Sequence, residues 1–467
     1  MSFTSLTFWA FFAVIFAGYW LIRERRWQNG LLLAASYMFY GWLAPWYALL
    51  LGLSTLADFV LARRMKTRSD KAKLYLALSL ILNLGVLAFF KYYGFFNTQV
   101  AEALMSVGVS LDWLFIKILL PAGLSFYTLK KLAYMLDVSR GTLEPSEDIV
   151  SFALFVSFFP QIVAGPIDRY QKLIPQIQQT RTWQPDFFYS AWPLLVTGFF
   201  KKIVIADTLK SVVDRVFALS DPSLALILAG TLGFTLEILA DFSAYTDLSR
   251  GVAQLLGFST SENFNQPYLA LTPTEFWNRW HITLSNWLRD YIFFPVHRAL
   301  LKRSKRLPNW LTQSIPPLVT MFVSGLWHGA GLPYVIWGIY YGMLIAAYQL
   351  IGLRGTWKPA SRFKAFFAWL VMFTFIAFGW LIFRAPSMTW LVQVFQHSPW
   401  THGRADLIVT VTVLAMTLAY SLPLAIKHLL DAYVPRGFAH SFYYAALTLG
   451  IIIFTSSVSA DFIYFQF

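Results

Sequence analysis

Ser324-Gly325-Leu326-Trp327-His328-Gly329-Ala330 places a histidine inside an otherwise apolar stretch of the chain. An imidazole at bilayer depth is energetically costly, so it is a candidate functional group wherever it occurs. Gly329 and Pro333 interrupt the helical pattern beside it. Irregular backbone is tolerated in a membrane only where protein buries it or where it lines a wet cavity. The stretch therefore predicts a broken membrane helix with His328 next to a cavity.

The composition of the chain is that of a membrane protein. Of its 467 residues, 57% are hydrophobic and 13% are charged, whereas a soluble protein has about 25% charged residues. A membrane helix needs about 20 apolar residues, and the apolar stretches predict an all-α polytopic protein with roughly ten to twelve spans. We treat residues 1–467 as one integral membrane domain, with N-terminal helices in 1–150, a catalytic core in 151–350 and C-terminal helices in 351–467.

The charge pattern indicates orientation in a membrane rather than nucleic-acid binding. The net charge is +14, but the basic residues form short clusters between apolar stretches, as in residues 63–68. Positive-inside orientation produces this pattern. The first apolar stretch, residues 8–22, lacks the basic flank and the cleavage site of a signal peptide, so we expect it to remain as the first membrane helix. The chain contains no cysteine, which excludes disulfides and thiolate chemistry.

Three stretches do not have the pattern of simple membrane spans. Residues 31–62 are long enough for two short helices in a hairpin, because Gly41 and Pro45 divide them. Residues 151–164 are apolar but too short to cross a bilayer, and they predict either a re-entrant segment or a short core helix. Residues 276–310 interleave tryptophans with seven Lys or Arg and one Asp. That mixture is typical of amphipathic helices in the cytoplasmic interface.

Two of the seven histidines have unusual surroundings. His281 and His328 are enclosed by aromatic and small residues, whereas the others lie in polar or basic settings. Each of the two fits either a hydrogen-bonded core residue or a catalyst, and both interpretations stay open. A catalytic zinc ion needs a third protein ligand at close spacing, and neither an HExxH nor a GxSxG pattern occurs. The remaining chemistry is a histidine that acts as general base towards an acceptor hydroxyl.

Two motifs, one around each of these histidines, give the chain a resemblance to a known family. They are Glu275-Phe276-Trp277-Asn278-Arg279-Trp280-His281-Ile282-Thr283-Leu284-Ser285 with Trp287-Leu288-Arg289-Asp290-Tyr291, and Gly325-Leu326-Trp327-His328-Gly329. They resemble membrane-bound O-acyltransferases, above all the bacterial branch that acetylates alginate and peptidoglycan and D-alanylates teichoic acids. Supporting blocks occur at residues 121–127, 158–166, 201–207, 241–247 and 262–268, so the likeness covers most of residues 30–385.

The resemblance implies a ring of tilted membrane helices, with re-entrant and interfacial helices around a thinned central funnel. It implies an O-acetyltransferase of the bacterial inner membrane that uses a cytoplasmic thioester, most simply acetyl-CoA, and holds no cofactor or metal. In the family the later histidine is the principal catalytic residue and the earlier one lies along the same cavity, which gives His328 and His281 here. The motifs also imply residues that bind donor or substrate: Trp277, Arg279, Trp280, Arg289, Asp241, Tyr245, Asp247, Asn265 and Trp327.

The acceptor implied by the resemblance is a cell-surface polysaccharide or peptidoglycan, reached directly or through an extracytoplasmic acetyltransferase of the SGNH type. Arg279, Arg289 and residues 302–306 are candidates to bind the donor phosphates. Departures from the family pattern, among them Asn278 and Ala244, leave the subfamily and the acceptor polymer open. Two other classes also stay open. One is a transporter or flippase of an acyl carrier with histidine proton relays, and the other is a scaffold that recruits a transferase.

Overall fold

The structure, a computed structural model, describes residues 1–106, 121–302, 307–353, 355 and 357–455. Within these ranges the regular secondary structure is helical throughout. The chain divides into two compact units: unit 1 contains Met1–Trp192 and Ser249–Ser261, and unit 2 contains Pro193–Leu248 and Glu262–Phe467. The predicted all-α class is confirmed.

Capping side chains fix the first turns of several helices in unit 1. The Ser5 hydroxyl accepts a hydrogen bond from the Phe8 N–H at 3.2 Å, and the Asp148 carboxylate accepts one from the Val150 N–H at 3.0 Å. A cap of this kind stabilises its helix by about 1 kcal/mol. The helices are α1 (Leu6–Leu21), α2 (Arg25–Gly41), α3 (Pro45–Thr67), α4 (Ala72–Ser106), α5 (Leu124–Ser139), α6 (Ile149–Ser157) and α7 (Tyr170–Gln178).

A buried polar network connects three helices of unit 1. The Asp58 carboxylate on α3 accepts hydrogen bonds from the Ser79 hydroxyl at 2.6 Å and from the Asn83 amide at 2.8 Å, both on α4. Lys131 on α5 lies 3.5 Å from the same carboxylate. A buried charge needs such partners, because its isolated desolvation is costly. The hairpin predicted for residues 31–62 is confirmed as α2 and α3.

Residues 151–164 form a short buried helix followed by a non-helical stretch. Helix α6 has nine residues, ends at Ser157, and is buried almost throughout. Nine residues extend about 14 Å along a helix, which is half of the hydrocarbon thickness of a bilayer. The Lys130 ammonium donates to the Phe155 carbonyl at 2.6 Å and to Gln161 Oε1 at 3.2 Å, holding the two parts together. The re-entrant and the core-helix interpretations both stay open.

Unit 2 takes up the rest of the chain and contains both predicted catalytic histidines. Helices α8 (Pro185–Phe199) and α10 (Leu224–Leu255) contribute residues to both units. The other helices are α9 (Asp207–Phe217), α11 (Pro273–Arg279), α12 (Ile282–Leu288), α13 (Phe294–Leu301), α14 (Asn309–His328), α15 (Leu332–Leu350), α16 (Arg362–Arg384), α17 (Met388–His397), α18 (Arg404–Tyr433) and α19 (Phe438–Phe454). The sequence expectations did not include α17.

Six stretches of the described chain are long and apolar enough to cross a membrane. They are Pro45–Thr67, Ser69–Gly94, Pro185–Phe217, Leu224–Leu255, Arg362–Arg384 and Arg404–Tyr433, and two shorter apolar helices are Leu6–Leu21 and Phe438–Phe454. A multi-pass membrane protein is thereby confirmed. The number of ten to twelve spans, the ring of helices and the thinned funnel stay predictions.

Short helical pieces replace a long span between residues 273 and 301. Helices α11 and α12 are followed by a π-helical turn, Arg289–Phe293, and then by α13. A π-helical turn is rare and occurs often at functional sites. A second one, Phe200–Ala206, carries Lys201 and Lys202. Residues 303–306 of the basic cluster lie outside the described part of the chain.

Helices α14 and α15 pack against each other with almost no space between their backbones. A Cβ atom added to Gly338 would lie 2.3 Å from the Met321 carbonyl oxygen, and one added to Gly325 would lie 2.3 Å from the Tyr334 carbonyl oxygen. The two helices are separated by the break at residues 329–331. The break beside His328 is as the sequence predicts. Gly338 and Gly342 form a GxxxG spacing in the sequence, which is typical of close helix packing.

Candidate active site

His328 is the last residue of α14 and lies among aromatic rings. Its side chain is 7% exposed. Three rings meet it edge-on, with centroid distances of 4.8 Å to Trp327, 5.0 Å to Trp337 and 5.4 Å to Phe383. Phe383 comes from α16 and Trp337 from α15, so three helices form the surroundings of the imidazole. An aromatic enclosure excludes water, and electrostatic interactions with a bound substrate are stronger there.

His281 links α11 to α12 in a backbone conformation that a non-glycine residue rarely adopts. Its φ of 41° and ψ of 54° lie in the left-handed region, which costs about 1–3 kcal/mol and persists only where the surroundings enforce it. Asn263 supplies that constraint. Its carbonyl oxygen accepts from the Ile282 N–H at 3.0 Å, and its side-chain Oδ1 accepts from the Thr283 N–H at 3.1 Å.

The indole of Trp327 contacts both histidine rings. Its centroid lies 4.8 Å from the His328 ring and 6.3 Å from the His281 ring. The His281 ring also meets Phe242 of α10, at a centroid distance of 4.7 Å. The two histidines that the motifs predict are therefore brought together around one tryptophan.

Trp277 and Trp280, predicted to bind donor or substrate, lie in a buried aromatic cluster. Trp277 contacts Trp337 at 5.7 Å and Tyr341 at 5.1 Å. Trp280 contacts Phe264 at 5.0 Å and Trp380 at 4.7 Å. The cluster continues to His328 through Trp337, which contacts both Trp277 and the imidazole.

The acidic residues of the 241–247 block form ion pairs with the π-helical turn Phe200–Ala206. Asp241 Oδ1 lies 2.9 Å from Lys202 Nζ, which also lies 2.9 Å from Asp207 Oδ1. Asp247 pairs with Lys201 at 2.8 Å. Asp241 directly precedes Phe242, the residue of α10 that contacts His281. Tyr245 follows Asp241 by one turn of α10 and is half-buried.

The predicted phosphate-binding arginines are more exposed and have acidic partners. Arg279 lies 2.7 Å from Glu275 of the same helix, and Arg289 lies 3.2 Å from Asp290. The Asn265 N–H donates to the Arg279 carbonyl at 2.9 Å, while the Asn265 side chain is exposed. These groups are accessible to a water-soluble part of a substrate. Their binding roles stay predictions.

Burial decides the protonation state of His281, which lies between the apolar spans. Burial lowers the pKa of this imidazole to about 3. His281 is therefore neutral at physiological pH and has no proton to donate as an imidazolium. Among the described residues, no group of three His, Asp or Glu side chains lies close enough together to hold a metal ion.

Several residues of this site were not identified from the sequence. Trp337 and Phe383 contact His328 from later helices, and Asn263 holds the His281 backbone. Lys202 pairs with Asp241, although helix α9 and the first part of α10 lie between them in the sequence. Lys202 and Asn263 lie within the sequence blocks 201–207 and 262–268, and that position is the signal that could have identified them.

Comparison with known proteins relates this site to acyl transfer. Residues 146–391 match the family described as MBOAT, membrane-bound O-acyltransferase family. A Pseudomonas aeruginosa protein named "Probable alginate O-acetylase AlgI" is 36% identical over 391 residues, 83% of this chain and 73% of that protein. A Helicobacter pylori peptidoglycan O-acetyltransferase is 31% identical over 426 residues, 84% of this chain and 78% of that protein. A Bacillus subtilis teichoic acid D-alanyltransferase is 29% identical over 271 residues, 56% of this chain and 68% of that protein. The range that matches the family contains both His281 and His328.

Proposed function

This chain belongs to the membrane-bound O-acyltransferase family, and from that premise we propose that it moves an acetyl group from cytoplasmic acetyl-CoA to a hydroxyl of a cell-surface polysaccharide or peptidoglycan. That it is a multi-pass membrane acyltransferase follows from the family and the apolar helices. The proposal concerns the donor, the acceptor and the residues that act. The observation that carries it is the pair of buried histidines in contact with Trp327.

The names of the relatives favour acetyl as the transferred group. The relatives named for O-acetylation are 36% and 31% identical over more than four fifths of this chain. The relative named for D-alanyl transfer is 29% identical over 56% of it. These two relatives are named for alginate and for peptidoglycan, which supports a polysaccharide or peptidoglycan acceptor.

His328 acts as the general base in the proposed reaction. Its neutral imidazole takes the proton of the acceptor hydroxyl while that oxygen forms a bond to the thioester carbonyl carbon. The carbon–sulfur bond then breaks, and the imidazolium returns the proton to the leaving sulfur, giving an ester and free CoA. A second route stays open. In it a His328 nitrogen attacks the carbonyl carbon, CoA leaves, and the acceptor hydroxyl displaces the imidazole from an acetyl-imidazole.

His281 orients the reacting groups or relays a proton as a neutral imidazole. Its depressed pKa supports this role, because a group with a pKa of about 3 does not serve as a cationic acid near neutrality. Its left-handed backbone is held by hydrogen bonds rather than by its own preference. Stored backbone strain of this kind is frequent at active sites.

The donor is proposed to reach the site from the cytoplasm, with its phosphates near Arg279 or Arg289. The acetyl group crosses the bacterial inner membrane in this proposal, and it reaches the polymer either directly from this protein or through a separate extracytoplasmic acetyltransferase. The acidic partners of both arginines keep their guanidinium groups oriented before the donor arrives.

The test uses the full chain in lipid nanodiscs with acetyl-CoA labelled in its acetyl group. We expect release of free CoA together with labelled product when a soluble oligosaccharide of the acceptor class is supplied. His328→Ala should abolish both, and His397→Ala, which alters an exposed histidine of α17, should behave as wild type. Retention of most activity by His328→Ala would contradict the assignment. Without acceptor, label on the wild-type protein that both dilute acid and neutral hydroxylamine release would favour the acetyl-imidazole route.

A further inference from the structure

Trp337 has a buried hydrogen-bond donor beside the proposed catalytic base. Its side chain is 1% exposed, and its ring meets the His328 ring at a centroid distance of 5.0 Å and an interplanar angle of 80°. Its Nε1 atom is shielded from solvent and has no hydrogen-bond partner among the described residues. We propose that the Trp337 Nε1–H donates to the carbonyl oxygen of the acyl group and stabilises the negative charge formed on it during transfer.

A buried N–H group without an acceptor lowers the stability of the folded protein. Leaving a buried N–H without an acceptor costs about 1–3 kcal/mol, and such groups are rare in folded proteins. The rings around Trp337 include Trp277 at 5.7 Å, Phe383 at 5.3 Å and Trp380 at 6.2 Å. Tyr341 at 5.4 Å and His328 at 5.0 Å carry acceptor atoms, but neither forms a hydrogen bond with the Trp337 Nε1–H. A donor kept unpaired next to a catalytic imidazole is suited to an acceptor that arrives with the substrate.

The proposed reaction creates such an acceptor. As the attacking atom bonds to the carbonyl carbon, the electron pair of the C=O double bond moves onto the oxygen. That oxyanion accepts a hydrogen bond from Trp337, and the pair returns to re-form the carbonyl when the carbon–sulfur bond breaks. A single donor of this kind contributes about 10²–10³-fold to kcat in other acyl-transfer enzymes. The role is the same whether the attacking atom is the acceptor oxygen or a His328 nitrogen.

The close packing of α14 and α15 fixes the position of this donor. Trp337 directly precedes Gly338, whose Cα lies against α14 so tightly that a Cβ atom would be 2.3 Å from the Met321 carbonyl oxygen. His328 is on α14. The indole and the imidazole are therefore held on two helices that have no room to slide, and a donor held in advance needs no reorganisation during the reaction.

Ser324 is the alternative donor on α14. Its Oγ atom is also buried, without a hydrogen-bond partner among the described residues, and lies one turn before His328. A hydroxyl rotates freely, whereas the indole N–H has a direction set by packed rings. We therefore assign the role to Trp337 and use Ser324→Ala to test the alternative.

The experiment rests on the proposed function and compares Trp337→Phe with wild type in the labelled acetyl-CoA assay. Phenylalanine keeps an aromatic ring and removes the donor, so kcat should fall by about 10²-fold or more, with KM for acetyl-CoA changed less than about threefold. Trp390→Phe removes an indole of α17 whose N–H donates to the Leu219 carbonyl at 2.9 Å, outside the site, and should keep kcat within about threefold of wild type. A matched thermal unfolding curve for each variant checks the fold.

A second substitution keeps the shape of the side chain. Trp337→3-benzothienylalanine replaces the ring N–H by sulfur with little change of volume, so kcat should fall as it does in Trp337→Phe. A wild-type kcat in this variant, or a loss that follows Ser324→Ala alone, would overturn the inference. These outcomes differ from failure of the proposed function, in which wild-type protein transfers no acetyl group.

Discussion

Thr283 donates two hydrogen bonds to the Oδ1 atom of Asn263, from its backbone N–H over 3.1 Å and from its hydroxyl over 2.9 Å. Asn263 also accepts from the Ile282 N–H through its own carbonyl oxygen. His281, whose backbone is left-handed, directly precedes Ile282 and Thr283. Asn263 thus positions His281 through the two residues that follow it.

The Asn263 contacts predict a loss of activity that exceeds the loss of stability. Asn263→Ala removes both Oδ1 hydrogen bonds and keeps the backbone one from Ile282, so the His281 backbone is less constrained. A displacement of about 1 Å at an active site lowers kcat by up to about 10²-fold. Thr283→Val, which removes one donor, should have an intermediate effect, and Thr283→Ser, which keeps both donors, should retain most activity. Steady-state kinetics on the four proteins check this. Equal kcat in wild type and Asn263→Ala would show that the constraint is unnecessary.

Lys202 is predicted to stabilise unit 2 through its two ion pairs. It neutralises both Asp207 and Asp241 and is 8% exposed. Removing one partner of a buried ion pair costs about 3–5 kcal/mol, so Lys202→Met should lower the unfolding temperature markedly in detergent. Lys66→Met breaks an exposed pair with Glu144 and should leave that temperature unchanged. A higher KM in Lys202→Met with an unchanged unfolding temperature would instead indicate that Asp241 serves substrate binding.

Gly338 is predicted to be essential for both stability and activity. Gly338→Ala forces α14 and α15 apart because the new Cβ meets the Met321 carbonyl oxygen. Overpacking of this kind costs about 1–3 kcal/mol and moves Trp337 away from His328. Gly85→Ala on α4, where no atom lies within 4 Å of the added Cβ, should be neutral or stabilising by up to about 1 kcal/mol. Thermal unfolding and kcat of the two variants provide the comparison.

His281 predicts a specific sensitivity to acid. Its pKa is about 3 in the folded protein and about 6.5 in an unfolded chain. Below pH 6.5 the unfolded state binds more protons, so stability falls as the pH drops towards 3, by up to about 1.4 kcal/mol per pH unit. At about pH 5 the loss is about 2 kcal/mol. This loss of stability should be absent in His281→Gln and present in His397→Gln. Unfolding temperatures at pH 7.5 and about pH 5 measure it. A parallel decline in wild type and His281→Gln would contradict the buried neutral state.

The arginine candidates predict a change in donor affinity. Replacing a guanidinium that binds a phosphate removes a charge-assisted hydrogen bond of about 1.5–3 kcal/mol. Arg279→Gln or Arg289→Gln should therefore raise KM for acetyl-CoA by about tenfold or more and change kcat little. If the 3′-phosphate is the group bound, the increase in KM should be smaller with a donor that lacks this phosphate. Arg404→Gln at the exposed start of α18 serves as the control. Unchanged KM in both variants would move the phosphate site elsewhere.

Local signals in the sequence were sufficient for much of the architecture. Apolar length predicts membrane helices, and the glycines after His328 predict a break that the structure has at residues 329–331. The pair Gly338 and Gly342 predicts close helix packing, because only a residue without a side chain lets two backbones approach so far. Each of these signals acts over one or two helical turns. Helix α17 (Met388–His397) is short and lacked such a signal.

The residues that surround the two histidines could not be predicted from the sequence. The motifs identified His281 and His328 because a buried imidazole in an apolar setting is unusual wherever the chain folds. That Trp327 contacts both rings, that Trp337 and Phe383 meet His328, and that Asn263 holds the His281 backbone depend on which helices pack together. Apolar helices pack through many small contacts that differ little in energy from one pairing to another. The sequence pattern was therefore enough to identify the two imidazoles, whereas their neighbours were decided by the packing of α10 to α16.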